Sequence, residues 1–463
     1  MSPSLTQNAP RAFVPLSTLR EVKYQSSRWP NLKRLPCCLL RPVLVGLAIR
    51  LFVAAIGFHS FMNPARDHWE FAFEMGHIAR SVAMGQGFSN PFWGNTGPSA
   101  LLTPVYPSLL AAIFKVFGVF TTTSALVFLS INCFFSALTA VPIFFIARRT
   151  FDPRTARLAA WVWAFFPYSI NLAAATMWYH GFVALLLSAI VLFALLLQHN
   201  DRLGAWFGFG ALFGFAALTN PVVVVVAPAI GLWLLVRLAR QGKHWIKAAM
   251  VGALGMLLVV LPWPLRNHFV LGQNVAFKDG YWMEVCAGNI HESLHWWDDA
   301  EHPSGSDTEA ARFAHLGELD YMAAKRVDAF AYIRSNPGRY AWRTMRHVLF
   351  LWTGFWSFRS AYLHQEPLDP ENILLATALS ILAFASLLRM FRDRYSRNFA
   401  WLYGLVLLFY PLPYYLSHVD PGFRHPLDPL LVVLACSSLR QWSARRSAVE
   451  VSDHERQEEL AYQ

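Results

Sequence analysis

The chain has 463 residues, of which 55% are hydrophobic and only 14% are charged. An average soluble protein is about a quarter charged, and only a bilayer can hide this much apolar surface. The formal net charge of +11 does not indicate nucleic acid, because the cations sit in short runs between apolar segments; that is the positive-inside pattern, which meets acidic lipid headgroups.

The first 41 residues are polar and basic (Arg11, Arg20, Lys23, Arg28, Lys33, Arg34, Arg41) and are expected to be a cytoplasmic tail. No small-residue cleavage site follows, so the first apolar run, 42–62, reads as an uncleaved signal anchor. Further apolar runs lie at 121–147, 158–172, 179–198, 203–219, 221–238, 248–264, 373–390, 399–416 and 427–440. Together they predict an all-α multi-pass membrane protein of about ten spans, with both termini cytoplasmic. The run 101–120 is interrupted by Pro104, Pro107 and Lys115. If it crossed, Arg148 and Arg149 would face outward, so it is read as an interfacial helix on the outer face. The patch HVLFLWTGFWSF at 347–358 is too short to span, and its crossing would expel Arg392, Arg394 and Arg397, so it is read in the same way. The resulting organisation is a membrane domain over 42–264 with a first external loop at 63–120, an external segment at 265–371, C-terminal spans over 372–441 and a charged, disordered tail at 442–463. Cys37 and Cys38 precede the first span, Cys133 and Cys436 lie in apolar runs, and Cys286 stands alone in a polar loop, a pattern without a disulfide framework or a cysteine metal site.

The spans carry few ionisable groups, which argues against an ion-coupled transporter, and no GxxxxGK[ST] phosphate loop exists. The chemistry-bearing residues lie outside the spans. In RDHWEFAFEMGHIARS, a continuous helix would put Asp67, Glu70, Glu74 and His77 on one stripe about 80° wide, opposite Phe71, Met75, Ile78 and Val82. Such a stripe is either the solvated face of a surface helix or a place for acid/base chemistry. Gly85, Gly87, Gly94 and Gly97 predict a flexible loop. The last external loop, SHVDPGFRHPLDP, holds Arg424 and His425; a cation pair at the mouth of a span suits an anionic ligand such as a lipid phosphate, or anchors the loop at the membrane surface. Arg266 and Asn267, at the exit of the span ending PWPLRN, belong to the same outer layer.

The order of the motifs EMGHIARSVAMGQGFSNPF, TGPSALLTPVYPSLLAAIFKVFG, ARRTFDPRTARLAAWVWAFFPYS, ALTNP, PWPLRNHFVLGQNV, AGN, NPGRYAWRTMRHVLFLWTG and FRHPLDP, over roughly 43–440, resembles the GT-C membrane glycosyltransferases. The resemblance is to the bacterial branch near glycosyltransferase family 39, related to the protein O-mannosyltransferases and the lipid A aminoarabinose transferases. It implies a GT-C helical bundle with interfacial helices and a small external segment, in the cell inner membrane, that uses a polyprenyl-phosphate-linked sugar. The acceptor it implies is a glycan, lipid or protein, with no nucleic acid partner. It also implies an acidic base in the first external loop. Family members often show an adjacent Asp-Glu pair there, whereas here Asp67, Glu70 and Glu74 are separated. Glu74, directly before the MGHIARS stretch, fits the pattern best. Its carboxylate would take the proton of an acceptor hydroxyl, and the lipid-phosphate leaving group would meet Arg80, Arg266, Arg424 and His425, with His77 and Asn289 (of AGN) also at the substrate. The resemblance leaves room for a divalent metal but supplies no ligand set. A lipid-linked saccharide flippase or a glycan ligase or polymerase is the alternative; a flippase needs polar groups along its spans, and these spans are apolar.

Overall fold

The computed structural model describes residues 37–61, 71–291, 299–360, 363 and 369–443. The tails at 1–36 and 444–463, and with them Asp67 and Glu70 at 62–70, lie outside the described residues. The helices in chain order are α1 (Cys37–Phe61), α2 (Glu74–Ala83), α3 (Val105–Phe117), α4 (Thr122–Leu138), α5 (Ala140–Thr150), α6 (Pro153–Ala164), α7 (Pro167–Ala175), α8 (His180–Leu197) and α9 (Leu203–Ala217). They continue with α10 (Ala227–Arg240), α11 (Trp245–Val260), α12 (Pro262–Leu271), α13 (Tyr281–Asn289), α14 (Asp307–Leu316), α15 (Glu318–Ser335) and α16 (Pro337–Thr353). Helices Asp369–Arg392 and Arg397–Phe409 follow, and 428–443 is helical. No strand occurs among the described residues; Ser89 and Pro98 form an isolated antiparallel bridge.

Three Asx-Pro pairs start helical segments. The side chain of Asp152 accepts from the N–H groups of Arg154 and Thr155, that of Asn220 from Val222, and that of Asp420 from Gly422, each followed by proline at the first helical position. The acidic or amide oxygen satisfies donors that the first turn leaves over, and proline has no N–H to leave unsatisfied.

Six helical segments among the described residues are long and apolar enough to cross a membrane, and two bent pairs raise the count to eight: α6 with α7 at 43°, and α11 with α12 at 40°. Helices α3 and α9 are apolar but shorter. Both bends fall at prolines, Pro167 in one pair and Pro262 in the other, where a missing N–H breaks the ladder. The apolar patch 347–358 does not form a helix of its own. Its first part is the end of α16, which stops at Gly354 with φ 86°, and 354–359 is irregular. The C-terminal helical stretch is the centre of the bundle: Leu430, Leu431, Val432, Val433 and Leu434 are fully buried. A helix apolar on all sides is stable only when neighbours surround it.

Helices α9 and α11 touch backbone to backbone. A Cβ on Gly210 would lie 1.8 Å from the Gly252 carbonyl oxygen, so no larger residue fits without parting the two helices.

A charge is buried midway through the bundle. Arg50, midway along α1, is fully buried and every guanidinium N–H group finds an acceptor: Nε on Ser136 Oγ (2.9 Å), Nη1 on the carbonyls of Gly46 (3.0 Å) and Ala164 (3.1 Å), and Nη2 on the Trp163 carbonyl (3.1 Å) and Ser169 Oγ (2.5 Å). The Trp163 carbonyl would ordinarily accept from residue 167, which is proline. Arg50 therefore supplements the Phe166 N–H on this carbonyl (3.3 Å) and bridges the break between α6 and α7.

Helices α13 to α16 form a small helical unit between α12 and the helix Asp369–Arg392. Its polar core is Lys325, fully buried between Glu301 (2.8 Å) and Glu309 (2.6 Å). Its apolar core joins Met283, Phe313 and Tyr321 to Phe92 and Leu101 of the 85–101 loop.

Candidate functional site

Helix α2 begins at Glu74, and the three residues before it, Phe71, Ala72 and Phe73, all have left-handed φ values of 59°, 62° and 47°. The continuous helix over 67–77 that would have aligned Asp67, Glu70, Glu74 and His77 is therefore not formed. Left-handed non-glycine residues cost of order 1–3 kcal/mol each and persist where packing over-determines them. Here Phe71 packs on Phe114 (5.0 Å between centroids) and Phe120 (5.5 Å), and Phe73 on His77 (4.9 Å) and Phe92 (6.1 Å). Met75 and Ile78 are buried as the spacing predicts, and so are Glu74 and His77: this is no solvated face.

Glu74 Oε1 lies 3.5 Å from Nε2 of His302, on the turn before α14. Nδ1 of His302 accepts from the main-chain N–H of Ser304 (3.2 Å) and lies 2.6 Å from its hydroxyl. Burial pulls His302 down to about 4, so at neutral pH the ring is uncharged. A second acid–imidazole pair stands close by: Glu284 of α13 lies 3.5 Å from Nδ1 of His418. Burial also holds His418 below its ordinary value, so it too faces its carboxylate as a neutral ring near pH 7. The Tyr179 hydroxyl is within electrostatic reach of Glu74 and Glu284 alike, and Glu284 and His418 both act on His302. Helix α2, the 299–306 turn, α13 and the 417–420 stretch thus bring two carboxylates and two neutral imidazoles to one place.

Asn289 secures this meeting. Its amide nitrogen donates to the carbonyls of Val285 (2.9 Å), Leu416 (3.2 Å) and Ser417 (2.9 Å), which ties α13 to the stretch carrying His418. Gly288 makes the approach possible, since a Cβ there would lie 2.0 Å from the Ser417 carbonyl oxygen.

His77 lies one turn beyond Glu74, caged by Phe73 and by Trp93 (4.8 Å), and burial and Arg80 lower it to about 4. Arg80 is half-buried over the Phe120 ring (6.0 Å). Arg266 clamps the glycine-rich loop: Nη1 donates to the Ser99 carbonyl and Nη2 to the Phe88 carbonyl, both at 2.7 Å, with the guanidinium over the rings of Phe88 and Trp263. Asn90 and Gly97 close the same loop by reciprocal bonds of 2.9 Å. A segment whose glycines predict flexibility is thus a pinned hairpin. Glu318 of α15 holds it from the other side by accepting from the Ala100 N–H. Burial and the neighbouring Asp279 raise Glu318 well above the usual carboxylate range, and burial pushes Asp279 up to about 6.

Arg424 and His425 form a separate, buried cluster around Asp428: Arg424 Nε to Oδ1 is 3.0 Å and His425 Nδ1 to Oδ2 is 3.1 Å. The His425 ring stacks on Trp163 (5.5 Å, 17°). Phe423 links this cluster to the first, with its ring 5.0 Å from His418. Sequence reasoning missed His302 and Glu284. They sit in a polar segment rich in such residues, and nothing in the spacing separates them from the staple formed by Glu301, Glu309 and Lys325. Among the described residues no group of three or more His, Cys, Asp or Glu side chains is placed to hold a metal ion.

The architecture is that of a multi-pass helical membrane protein whose polar site is built from loops and a small helical unit beside the spans. The sequence profile of the dolichyl-phosphate-mannose-protein mannosyltransferase family matches residues 101–263. No curated protein matches the sequence. Among solved structures, the oligosaccharyltransferase AglB from Archaeoglobus fulgidus, in complex with an inhibitory peptide and a dolichol-phosphate, is similar at 14% identity and a TM-score of 0.51, over 90% of this chain and 52% of that one. ArnT from Cupriavidus metallidurans, bound to undecaprenyl phosphate, matches at 16% identity and a TM-score of 0.48, over 89% of this chain and 63% of that one. This chain spans about half the length of the oligosaccharyltransferase. The profile match covers about a third of the chain, and what the chain shares with the oligosaccharyltransferase is the fold.

Proposed function

We propose that the protein is a membrane glycosyltransferase that moves a sugar from a polyprenyl-phosphate donor to a hydroxyl acceptor (glycan, lipid or protein) on the outer face of the membrane, with Glu74 as general base. The observation that carries this reading is the setting of Glu74: a buried carboxylate at the start of α2, behind a strained turn, beside a neutral imidazole. The matching profile belongs to a family named for a dolichyl-phosphate sugar, and the oligosaccharyltransferase of similar fold is complexed with a dolichol-phosphate. Both supports point to a lipid-phosphate donor.

In this reading the Glu74 carboxylate takes the proton of the acceptor hydroxyl as that oxygen bonds to the anomeric carbon. The bond between the anomeric carbon and the phosphate oxygen breaks, and the electron pair leaves with the polyprenyl phosphate. The growing charge on the phosphate calls for fixed cations. In this reading Arg424 takes that role, supported by its Nε being spent on Asp428 while neither Nη has a hydrogen bond among the described residues. Arg266 and Asn289 contribute by holding the loops that frame the site. The test is to incubate the reconstituted protein with a panel of undecaprenyl-phosphate-linked radiolabelled sugars and with bacterial membranes as acceptor. Label passing from donor to an acceptor fraction, and lost with Glu74→Gln, is the expected result. Label that crosses the bilayer still attached to its lipid would mark a flippase and overturn the reading.

A further inference from the structure

We infer that His302 is the positioning residue for Glu74: a neutral imidazole whose Nε2–H is turned on the carboxylate and sets its plane for the incoming hydroxyl. This inference rests on the reading of Glu74 as the base.

The tautomer follows from geometry. A main-chain N–H can only donate, so the Ser304 N–H at 3.2 Å requires a lone pair on Nδ1. The single proton of a neutral ring is then on Nε2, the atom 3.5 Å from Glu74 Oε1. That separation exceeds a finished hydrogen bond, as is common for catalytic contacts in the absence of substrate. The ring itself has little freedom. It is 4% exposed and meets Phe92 edge-on (5.7 Å), which in turn packs on Phe313 (4.7 Å). Its main chain is tied into the turn as well, with the N–H donating to Asp299 and the carbonyl accepting from Gly305 and Ser306. Ser306 then caps α14. A base on the strained start of α2 is thus steadied by a side chain of the separate helical unit.

Several charged and titratable groups face this ring: Glu74 from α2, Glu284 from α13, His418 from the last loop, Glu309 from α14 and Lys325 from α15. Burial outweighs the acids among them and keeps the ring neutral down to about pH 4. His302 therefore does not compete for the substrate proton. It donates to one carboxylate oxygen and leaves the basicity of the group to Glu74.

The test uses the full chain in lipid nanodiscs with nitrogen-15-labelled histidine, read by solid-state NMR, the His302 signals being assigned by difference against His302→Gln. The expected result is a protonated Nε2 and a bare Nδ1 at pH 7, with the Nε2 resonance displaced in Glu74→Gln. A proton on Nδ1, or a resonance that ignores Glu74→Gln, overturns the inference. With a donor from the sugar panel, His302→Leu should lower kcat about 10²-fold, the cost of a misplaced catalytic group, with KM for the donor little changed and the acidic limb of the pH–rate profile moved upward. His302→Gln carries an N–H at the same reach and should recover most of the rate. Equal rates and an unmoved limb in His302→Leu overturn the positioning role. Turnover of none of the sugars, with the NMR coupling intact, overturns the transferase reading while the pairing of His302 with Glu74 stands.

Discussion

The guanidinium of Arg50 donates to the main-chain carbonyl of Trp163 at 3.1 Å, and by doing so replaces the N–H that Pro167 lacks. The contact joins α1 to the break between α6 and α7 within the apolar bundle. Arg50→Leu should lower the melting temperature of the detergent-solubilised protein substantially. It takes the donor from the Ala164 carbonyl and leaves the Trp163 carbonyl with the Phe166 N–H alone, and an unsatisfied buried polar group costs about 1–3 kcal/mol. Arg50→Lys should recover only part, because one ammonium cannot serve five acceptors. Fluorescence-monitored melting curves of the two variants check this; a stable Arg50→Leu protein would show that the break needs no donor.

Glu74→Gln should lower turnover by about 10²–10⁴-fold, the usual contribution of a general base, with folding and donor binding kept. Glu74→Asp should retain some activity at a shorter reach. Asp67→Asn and Glu70→Gln should cost less, because α2 starts only at Glu74 and the residues before it turn away from the helical path. Initial rates on one active donor decide the order. A dead Asp67→Asn beside an active Glu74→Gln would move the base to Asp67.

Arg424→Ala should weaken binding of the lipid-phosphate donor markedly, since a hydrogen bond to a charged group is worth about 1.5–3 kcal/mol. Arg424→Lys should restore part of the affinity without the planar fork. The loss would also leave Asp428 with His425 as its one charged-group contact among the described residues, so a melting curve belongs beside the binding isotherm. Unchanged affinity for undecaprenyl phosphate in Arg424→Ala would reduce the residue to an anchor of its loop.

Glu318 and Asp279 give the clamp on the 85–101 loop a pH dependence of known sign. Both carboxyls hold protons in the folded protein that the unfolded chain releases, because burial raises them, Asp279 to about 6 and Glu318 well above its ordinary value. The folded state therefore binds more protons, and stability falls as pH rises, through Asp279 up to about 6 and through Glu318 further above the ordinary carboxylate range. Between about pH 7.5 and 8.5 the buried histidines His77 and His302, held near 4, are neutral in the folded protein and largely so in the unfolded chain, and add little slope. Glu318→Gln imitates the protonated carboxyl and should flatten this decline while keeping the bond to Ala100. Melting temperatures across that window test it, and an unaltered slope would exclude Glu318 as the source.

Charge parity in the sequence predicts that the stretch around α3 lies on the outer face without a crossing. With the native cysteines replaced, Pro98→Cys and Phe120→Cys should both react with an impermeant thiol reagent applied from outside. Labelling of only one would make α3 a crossing helix and overturn the ten-span expectation.

Apolar run length and flanking arginines, read from the sequence alone, announced a multi-pass helical protein and set its helices in order, because the bilayer imposes one length and one composition on every span. The Asx-Pro starts of helices at Asp152, Asn220 and Asp420 are local features, since cap and proline act within a single turn, but the sequence reading passed over them. The resemblance to the GT-C type lies in the order of motifs, each weak by itself. What the sequence could not show was how distant loops meet. The stripe over 67–77 assumed an unbroken helix, and packing of Phe71 and Phe73 against neighbours far along the chain holds their backbone left-handed instead. Arg266 looked like a free cation and is spent on two loop carbonyls; Arg50 drew no notice and closes a break more than a hundred residues away. The pairing of Glu74 with His302 joins residues separated by more than two hundred positions. Periodicity carries no information across such a distance. Only the docking of the α13–α16 unit on the 85–101 loop, through Phe92, Phe313 and Glu318, brings the two side chains together.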